Sequence, residues 1–292
     1  MNEKDTITIS ATQVATLVEE QVALLAKTLR PDYRVALEAA LTREESERGR
    51  AVLEQLLANA RLAKQEDLPL CQDTGYTWVC LEVNGSVCVP ADVFSGVDAA
   101  VARASETAGL RMSLLHDSLV NRSNTNTNTP AFCEVLVRQG KQHDSAPSAV
   151  LHIMLKGGGS DNASSLIMLP PSAGVEGVLD FVVQLVAEKG ANACPPLVLG
   201  VGVGGSFDKV ASLAKHALLR PIGTPQPNTK IAALEEELLA RINALGIGPG
   251  GLGGSATALA VHVESAPSHM VALPVAVCFG CAACRSVSIN LS

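Results

Sequence analysis

Seven short apolar runs, most of them rich in valine, punctuate the chain after residue 70, at 77–83, 131–137, 149–155, 197–203, 258–263, 271–278 and 286–291. Runs of this length and composition, bounded by Gly, Pro, Asn and Asp, form β-strands. Helical patterns at 91–108, 174–189, 208–219 and 229–245 separate several of them. Such interleaving predicts an α/β, mixed α+β domain whose sheet is at least partly parallel. Before these runs the texture is helical. Val14, Leu17, Val18, Val22 and Leu25 recur at helical spacing over 11–28, and Pro31 closes that run. A second helical stretch fills 33–64, where Thr42 and Glu45 fit a capping box ahead of a stripe of Val52, Leu53, Leu56, Leu57 and Ala60. With no linker, charge run or repeat of fixed period, the expected architecture is one domain over 1–292. It would be a helical N-terminal lobe packed on a mixed sheet with flanking helices.

The totals exclude whole classes of partner. A formal net charge of -7 and a pI near 5.4 leave no global positive field to collect phosphates. Aromatic content is 3%, with Trp78 the single tryptophan, so base-stacking platforms are missing as well. Nucleic acid is therefore not an expected partner, and an anionic substrate needs local cations. The start MNEKDTITIS does not read as a targeting segment, and the longest apolar stretch, Val271 to Cys284, is too short and too interrupted to span a bilayer. A cytoplasmic protein without a membrane partner is expected. In a reducing compartment the eight cysteines, at 71, 80, 88, 133, 194, 278, 281 and 284, divide into buried fillers and metal ligands rather than disulfides.

Each motif has a chemical and a plain structural meaning. Cys278-x-x-Cys281-x-x-Cys284 has the spacing at which soft thiolates converge on zinc or an iron-sulfur cluster, but neither a ferredoxin-type fourth cysteine nor a second zinc-type pair accompanies it. Buried small residues would read the same way. Gly200-x-Gly202-x-x-Gly205 follows an apolar run and precedes a helix, yet Arg220-Pro221-Ile222-Gly223 stands where a dinucleotide site wants an acidic strand end, so a close-packed turn is expected. Lys156-Gly157-Gly158-Gly159-Ser160 lacks the P-loop order, although its backbone N–H groups can still meet an oxyanion. Cys71-Gln72-Asp73-Thr74-Gly75 reads as a turn presenting a thiol, an amide and a carboxylate. Cys194-Pro195-Pro196 reads as a rigid lead into a strand. Asn121 to Thr129 can be a solvated loop. Gly246 reads as a helix C-cap, and the glycine run after it as a close backbone approach. His269 lies between two strands and Arg111 at a helix end, both common structural placements. Spacing alone does not bring positions 71, 194 and 281 together.

In this order, the motifs resemble the alpha subunit of class I iron-sulfur fumarases and L(+)-tartrate dehydratases over nearly the whole chain. The resemblance rests on Pro69 to Gly75, Leu110-Arg111, Asn124-Thr125, Asn128 to Ala131, Lys156 to Ser160 and Asn192 to Pro196. It continues through Leu219 to Gly223, Leu245 to Pro249, Val263 to Ala266 and Cys281-x-x-x-Arg285. It implies that Cys71, Cys194 and Cys281 hold a 4Fe-4S cluster whose fourth iron stays open as a Lewis acid on a small dicarboxylate. It also implies that Gln72, Arg111 and the Gly157-Gly158 backbone bind substrate oxygens, and that Asp73 and His269 handle the hydroxyl proton.

Single-chain relatives carry a C-terminal domain that this sequence lacks beyond Ser292. A separate beta subunit is therefore expected, with a heterotetramer or dimer as the assembly. Cys278 and Cys284 depart from the family pattern, as decoys or spare ligands. The Lys-Gly-Gly-Gly-Ser-Asp-Asn and Asn-Thr-Pro-Ala segments point toward fumarate and malate; L(+)-tartrate, or a methylated diacid such as mesaconate, is the alternative substrate. The alternative from another class is an electron-transfer or structural metal module using Cys278, Cys281 and Cys284 alone.

Overall fold

The computed structural model describes residues 7–138 and 148–292. Residues 1–6 of the N-terminal MNEKDTITIS, which does not read as a targeting segment, lie outside them. The chain divides into two compact units interleaved in sequence, one comprising the segment up to Thr28, Leu62–Gly157 and Arg285–Ser292, the other Leu29–Arg61 and Gly158–Cys284. The sequence reading expects a single domain. Because each unit is assembled from separate stretches, no linker marks the division.

The first unit is built on strands β2 (Tyr76–Asn84), β4 (Phe132–Val137), β5 (Ser148–Lys156) and β10 (Arg285–Asn290), in the order β10-β5-β2-β4. β2 runs parallel to β4 and antiparallel to β5, and β10 is antiparallel to β5. A short parallel pair, β1 (Ile7–Thr8) with β3 (Val87–Cys88), lies in the same unit. Helix α1 (Ala11–Lys27) carries Val14, Val18, Val22 and Leu25 on its buried stripe, as its 3.6-residue spacing dictates. That stripe packs with Val97, Ala100, Val101 and Ala104 of α4 (Val97–Thr107) and with Leu151 and Ile153 of β5 in one core.

The second unit has its own sheet. β6 (Ser165–Leu169), β7 (Leu197–Gly205), β8 (Ala258–Ser268) and β9 (Leu273–Gly280) lie in the order β6-β9-β7-β8. β7 is parallel to β8 and antiparallel to β9, and β6 is antiparallel to β9. Its core is formed by Val182, Leu185 and Val186 of α6 (Gly174–Lys189), Leu238 and Ile242 of α8 (Thr229–Ala244), and the strand residues Leu199, Val201, Val277 and Phe279. Helix α7 (Phe207–Ala217) lies directly on β7. A Cβ at Gly200 or Gly202 would stand 2.1 Å from the Ala214 carbonyl or 2.3 Å from that of Val210. The Gly200-x-Gly202 spacing is therefore helix-on-strand packing within β7, where the sequence reading expects a close-packed turn.

The two units repeat one pattern that no sequence periodicity betrays. In each, a first strand pairs in parallel with the second and antiparallel with the third: β2, β4 and β5 in one, β7, β8 and β9 in the other. The start of the first strand and the end of the third consequently share one end of each sheet.

Two boundaries differ from the sequence reading. Pro31 opens α2 (Pro31–Arg43) at its first position, where its missing N–H is harmless. The 33–64 stretch breaks at residues 44–46, and α3 (Glu47–Gln65) begins there. The proposed capping box is not formed. Ser46 Oγ accepts the Gly49 N–H at 3.2 Å, while the Thr42 hydroxyl turns back to the Glu38 carbonyl. Glu44, 3% exposed, accepts the N–H groups of Ser46, Ser255 and Ala256 and the Ser255 hydroxyl, tying the α2–α3 corner to the segment that enters β8. Among the described residues no helix is long and apolar enough to cross a membrane.

Candidate metal and substrate site

At the shared end of the first unit's sheet, the Cys71–Gly75 motif leads into β2. Gly75 has φ +74, and a Cβ there would lie 2.3 Å from the Lys156 carbonyl, so only glycine lets this turn press against the end of β5. Asp73 closes the turn. Its Oδ1 accepts the Gly75 N–H at 3.0 Å, its own N–H points to Cys71 Sγ at 3.4 Å, and its carbonyl accepts Arg285 Nη2 at 2.7 Å. Gln72 is exposed, with Oε1 at 3.5 Å from the Cys71 thiol.

Arg111 reaches the same end through its backbone. Its carbonyl accepts Thr74 Oγ1 at 2.7 Å and Asn128 Nδ2 at 3.2 Å, which leaves its side chain exposed. Asn128 also accepts the Ser113 N–H at 2.6 Å and is 2% exposed. Part of the Asn-Thr stretch read as a solvated loop is thus a buried brace for Arg111. Gly157 directly follows β5. The first unit therefore collects Cys71, Gln72, Asp73, Arg111 and Gly157.

The second unit repeats this at its own shared end. Cys194 follows a short 3-10 turn, Gly190–Ala193, and sits in the left-handed region at φ 57. The peptide N–H of Ala282 donates to the Cys194 carbonyl at 3.0 Å, which places Cys281, at the end of β9, beside Cys194. The Gly250 N–H donates to the Pro195 carbonyl at 2.8 Å, and a Cβ at Gly248 would stand 2.1 Å from the Gly253 carbonyl carbon; the glycine run is a tight wrap around the Cys194 segment. Leu245 is the C-cap of α8, and Gly246, expected there from the sequence, follows it at φ +65 as the left-handed residue that ends the helix. Gly158 opens the short helix α5 (Gly158–Ala163), whose Gly159 faces the Asn192 carbonyl, and a Cβ at Gly158 would meet nothing within 4 Å.

His269 is placed elsewhere. It follows β8, whose last residue, Ser268, pairs with Gly205, whereas Cys194 and Cys281 lie at the Leu197 end of the same strands. At ~3.3 Å per residue the length of β7 separates them by about 25 Å. Its ring is exposed, and Nδ1 accepts the Val271 N–H at 3.3 Å, which puts the neutral ring's proton on Nε2.

The thiols themselves discriminate. No disulfide forms among the eight cysteines. Burial first, then the nearby Glu134 and Glu82 carboxylates, pushes the Cys80 thiol up to about 12; burial and then Asp98 push Cys133 up to about 12. In the metal-free chain both are therefore held as protonated thiols. Cys278 and Cys284 are buried. Cys194 is exposed and Cys281 half-buried beside it, a donor pair whose soft sulfurs suit iron-sulfur ligation. Sequence reasoning assigned no role to Glu44 or Tyr33 and gave Arg285 none beyond its place in a motif. Their partners are distant in sequence, and only burial of a polar group marks them.

The family description fumarate hydratase (Fumerase) matches residues 15–290. The chain belongs to the fumarate hydratase family. It is a hydro-lyase of that family. A putative L(+)-tartrate dehydratase subunit alpha from Methanocaldococcus jannaschii is 38% identical over 258 residues, covering 87% of this chain and 89% of the relative. The L(+)-tartrate dehydratase subunit alpha of Escherichia coli UTI89 is 34% identical over 250 residues, covering 85% and 80%. That of E. coli K12 is 34% identical over 244 residues, covering 83% and 78%.

Proposed function

We propose that this fumarate hydratase family member is the cluster-binding subunit of a two-subunit 4Fe-4S hydro-lyase that reversibly hydrates fumarate to (S)-malate. The observation that supports it most is the junction of Cys194 and Cys281 through the Ala282 N–H, at the end of a sheet whose counterpart in the other unit carries the Cys71 turn. Cys71, Cys194 and Cys281 are the proposed ligands. When bound, the cluster supplies a Lewis-acidic iron that makes hydroxide a tolerable leaving group.

The chain's own residues do the rest. Arg111, exposed and held by its backbone, offers a fixed cation to a substrate carboxylate, and Gln72 and the Gly157-Gly158 backbone, exposed at Gly158, offer N–H groups to its oxygens. Asp73 has one carboxylate oxygen engaged by the Gly75 N–H, and the other takes the hydroxyl proton. His269, at the far end of its sheet from Cys281, serves the site of a second copy of this chain. The base that removes the carbon-bound proton comes from a separate beta subunit, in keeping with relatives named as alpha subunits. The cytoplasm is its proposed location.

A second reading takes L(+)-tartrate as substrate, and the names of the relatives favour it. The test is to reconstitute the chain anaerobically with its beta partner and assay water addition to fumarate and mesaconate and water loss from (S)-malate and L(+)-tartrate. Turnover of fumarate and malate at least tenfold above the others supports the proposal. Turnover confined to tartrate replaces the substrate, and no turnover of any of the four overturns the reading.

A further inference from the structure

Residues 111–128 leave the Arg111 end of the first unit and return to it as a braced arm. One limb starts at Arg111, and the other comes back to Asn128, whose side chain holds the Arg111 carbonyl. Ser113 donates its N–H to Asn128 Oδ1 at 2.6 Å, Asn124 Nδ2 donates to the Met112 carbonyl at 2.8 Å, and the Thr125 N–H donates to the Leu114 carbonyl at 2.8 Å. Leu115 bridges Asn124 in the antiparallel sense, and the N–H groups of His116 and Asp117 reach the carbonyls of Ser123 and Asn121, both at 3.0 Å. The Asp117 carboxylate closes the turn by accepting the N–H groups of Leu119 and Val120.

The tip of this arm lies in solvent. Leu119 is 88% exposed and Val120 93%, the two highest values among the exposed large apolar side chains of the described residues. A single exposed apolar side chain is ordinary. Here two are adjacent, on a turn whose backbone is already fixed by its own arm. A segment ordered in advance loses little further freedom on binding, so the tip is preorganised for burial by a partner.

The root of the arm selects the partner. The proposed reaction needs a carbon base from the beta subunit at the substrate that Arg111 holds, so that subunit closes over the Arg111 end. Obligate interfaces bury about 2,000–5,000 Å² in total, a disc of roughly 18–28 Å radius on each partner. The eight residues from Arg111 to Leu119 reach at most about 26 Å. A beta subunit seated over Arg111 therefore meets the tip.

We propose that the Leu119-Val120 tip docks in an apolar pocket of the beta subunit, and that the arm seats this subunit over Arg111. This rests on the two-subunit reading above.

The test measures binding of the full chain to its beta partner by biolayer interferometry, in wild-type, Leu119→Ala, Leu119→Met and Leu119→Asp/Val120→Asp forms, with sedimentation and urea unfolding of each chain alone. Leu119→Ala should weaken binding about tenfold and the double aspartate form about a hundredfold or more, while Leu119→Met, which keeps the volume, should stay near wild type. The urea midpoints should coincide, because the tip is no part of the core. A lowered midpoint with wild-type affinity would make the tip a folding element and overturn the inference. Wild-type affinity and midpoint in the double aspartate form overturn it too, and leave the two-subunit reading standing. Self-association of the wild-type chain that the aspartates abolish, with beta binding unchanged, assigns the tip to a second copy and likewise overturns it. A wild-type chain that binds no beta partner overturns both. Should the double form fail to fold, Leu119→Ala set against Leu119→Met makes the same decision.

Discussion

The Ala282 peptide donates its N–H to the carbonyl of Cys194 at 3.0 Å, joining the end of β9 to the start of β7. One hydrogen bond thus sets two cysteines, far apart in sequence, at one end of one sheet. The other thiols should behave differently. With pKa values of about 12, Cys80 and Cys133 are thiolate to on the order of 10⁻⁵ to 10⁻⁴ at pH 7.5. Iodoacetamide on the native apo chain, read by peptide mass spectrometry, should leave both unmodified while exposed Cys194 reacts. Rapid alkylation of Cys80 in the folded chain would contradict the raised thiol pKa.

Arg285 is 2% exposed and donates to the Asp73 carbonyl at 2.7 Å. Arg285→Gln removes that bond and a buried side chain, so it should cost about 2–4 kcal/mol. Urea unfolding of the apo protein reads the loss. An unchanged midpoint would mean that the Asp73 turn stands without its brace.

His262 is buried, with Nδ1 on the Ala217 carbonyl at 3.1 Å. Burial first, and then the Arg220 charge, depress its pKa to about 4. The native state therefore refuses a proton that the unfolded chain accepts near pH 6.5. Stability is complete above pH 6.5 and falls as pH drops toward 4, by up to about 3 kcal/mol. The lowered carboxyl groups Asp32 and Glu44 keep their contribution until pH falls below about 4.5. Thermal midpoints from pH 7.5 to 5 should decline in wild type and flatten in His262→Gln. Parallel curves would remove His262 as the cause.

The position of His269 makes a complementation experiment decisive. If it serves a second copy, co-expressed His269→Asn and Cys281→Ser chains, each inactive alone, should recover about a quarter of wild-type activity by random pairing in a two-fold assembly. Recovery no greater than the sum of the two singles would place all its work within one copy.

Much of the fold is legible in the chain because burial writes it there. All seven valine-rich runs are strands, since a sheet covered on its faces demands apolar β-branched residues. The Cys71 and Cys194 turns are legible because Gly75 and the paired prolines restrict the backbone. The two-unit division is not, because the pieces of each unit are scattered along the chain and the repeated strand pattern is one of topology without sequence likeness. Local signals also misled. Thr42 and Glu45 have capping-box spacing, but Glu44 is drawn off by the Ser255 and Ala256 N–H groups and Ser46 takes the cap. The packing of Tyr33 against Gly280 is invisible for the same reason, since nothing local announces it.

Iron and acid-labile sulfide counts on the anaerobically reconstituted full chain, in wild type and in Cys71→Ser, Cys194→Ser, Cys281→Ser and Cys278→Ser forms, test the account most directly. About four irons and four sulfides per chain are expected in wild type and Cys278→Ser, and a stable cluster in none of the other three. Full metal content in Cys71→Ser and Cys194→Ser, lost only when Cys278 or Cys281 is changed, would contradict it and make the C-terminal thiol run a self-sufficient metal module.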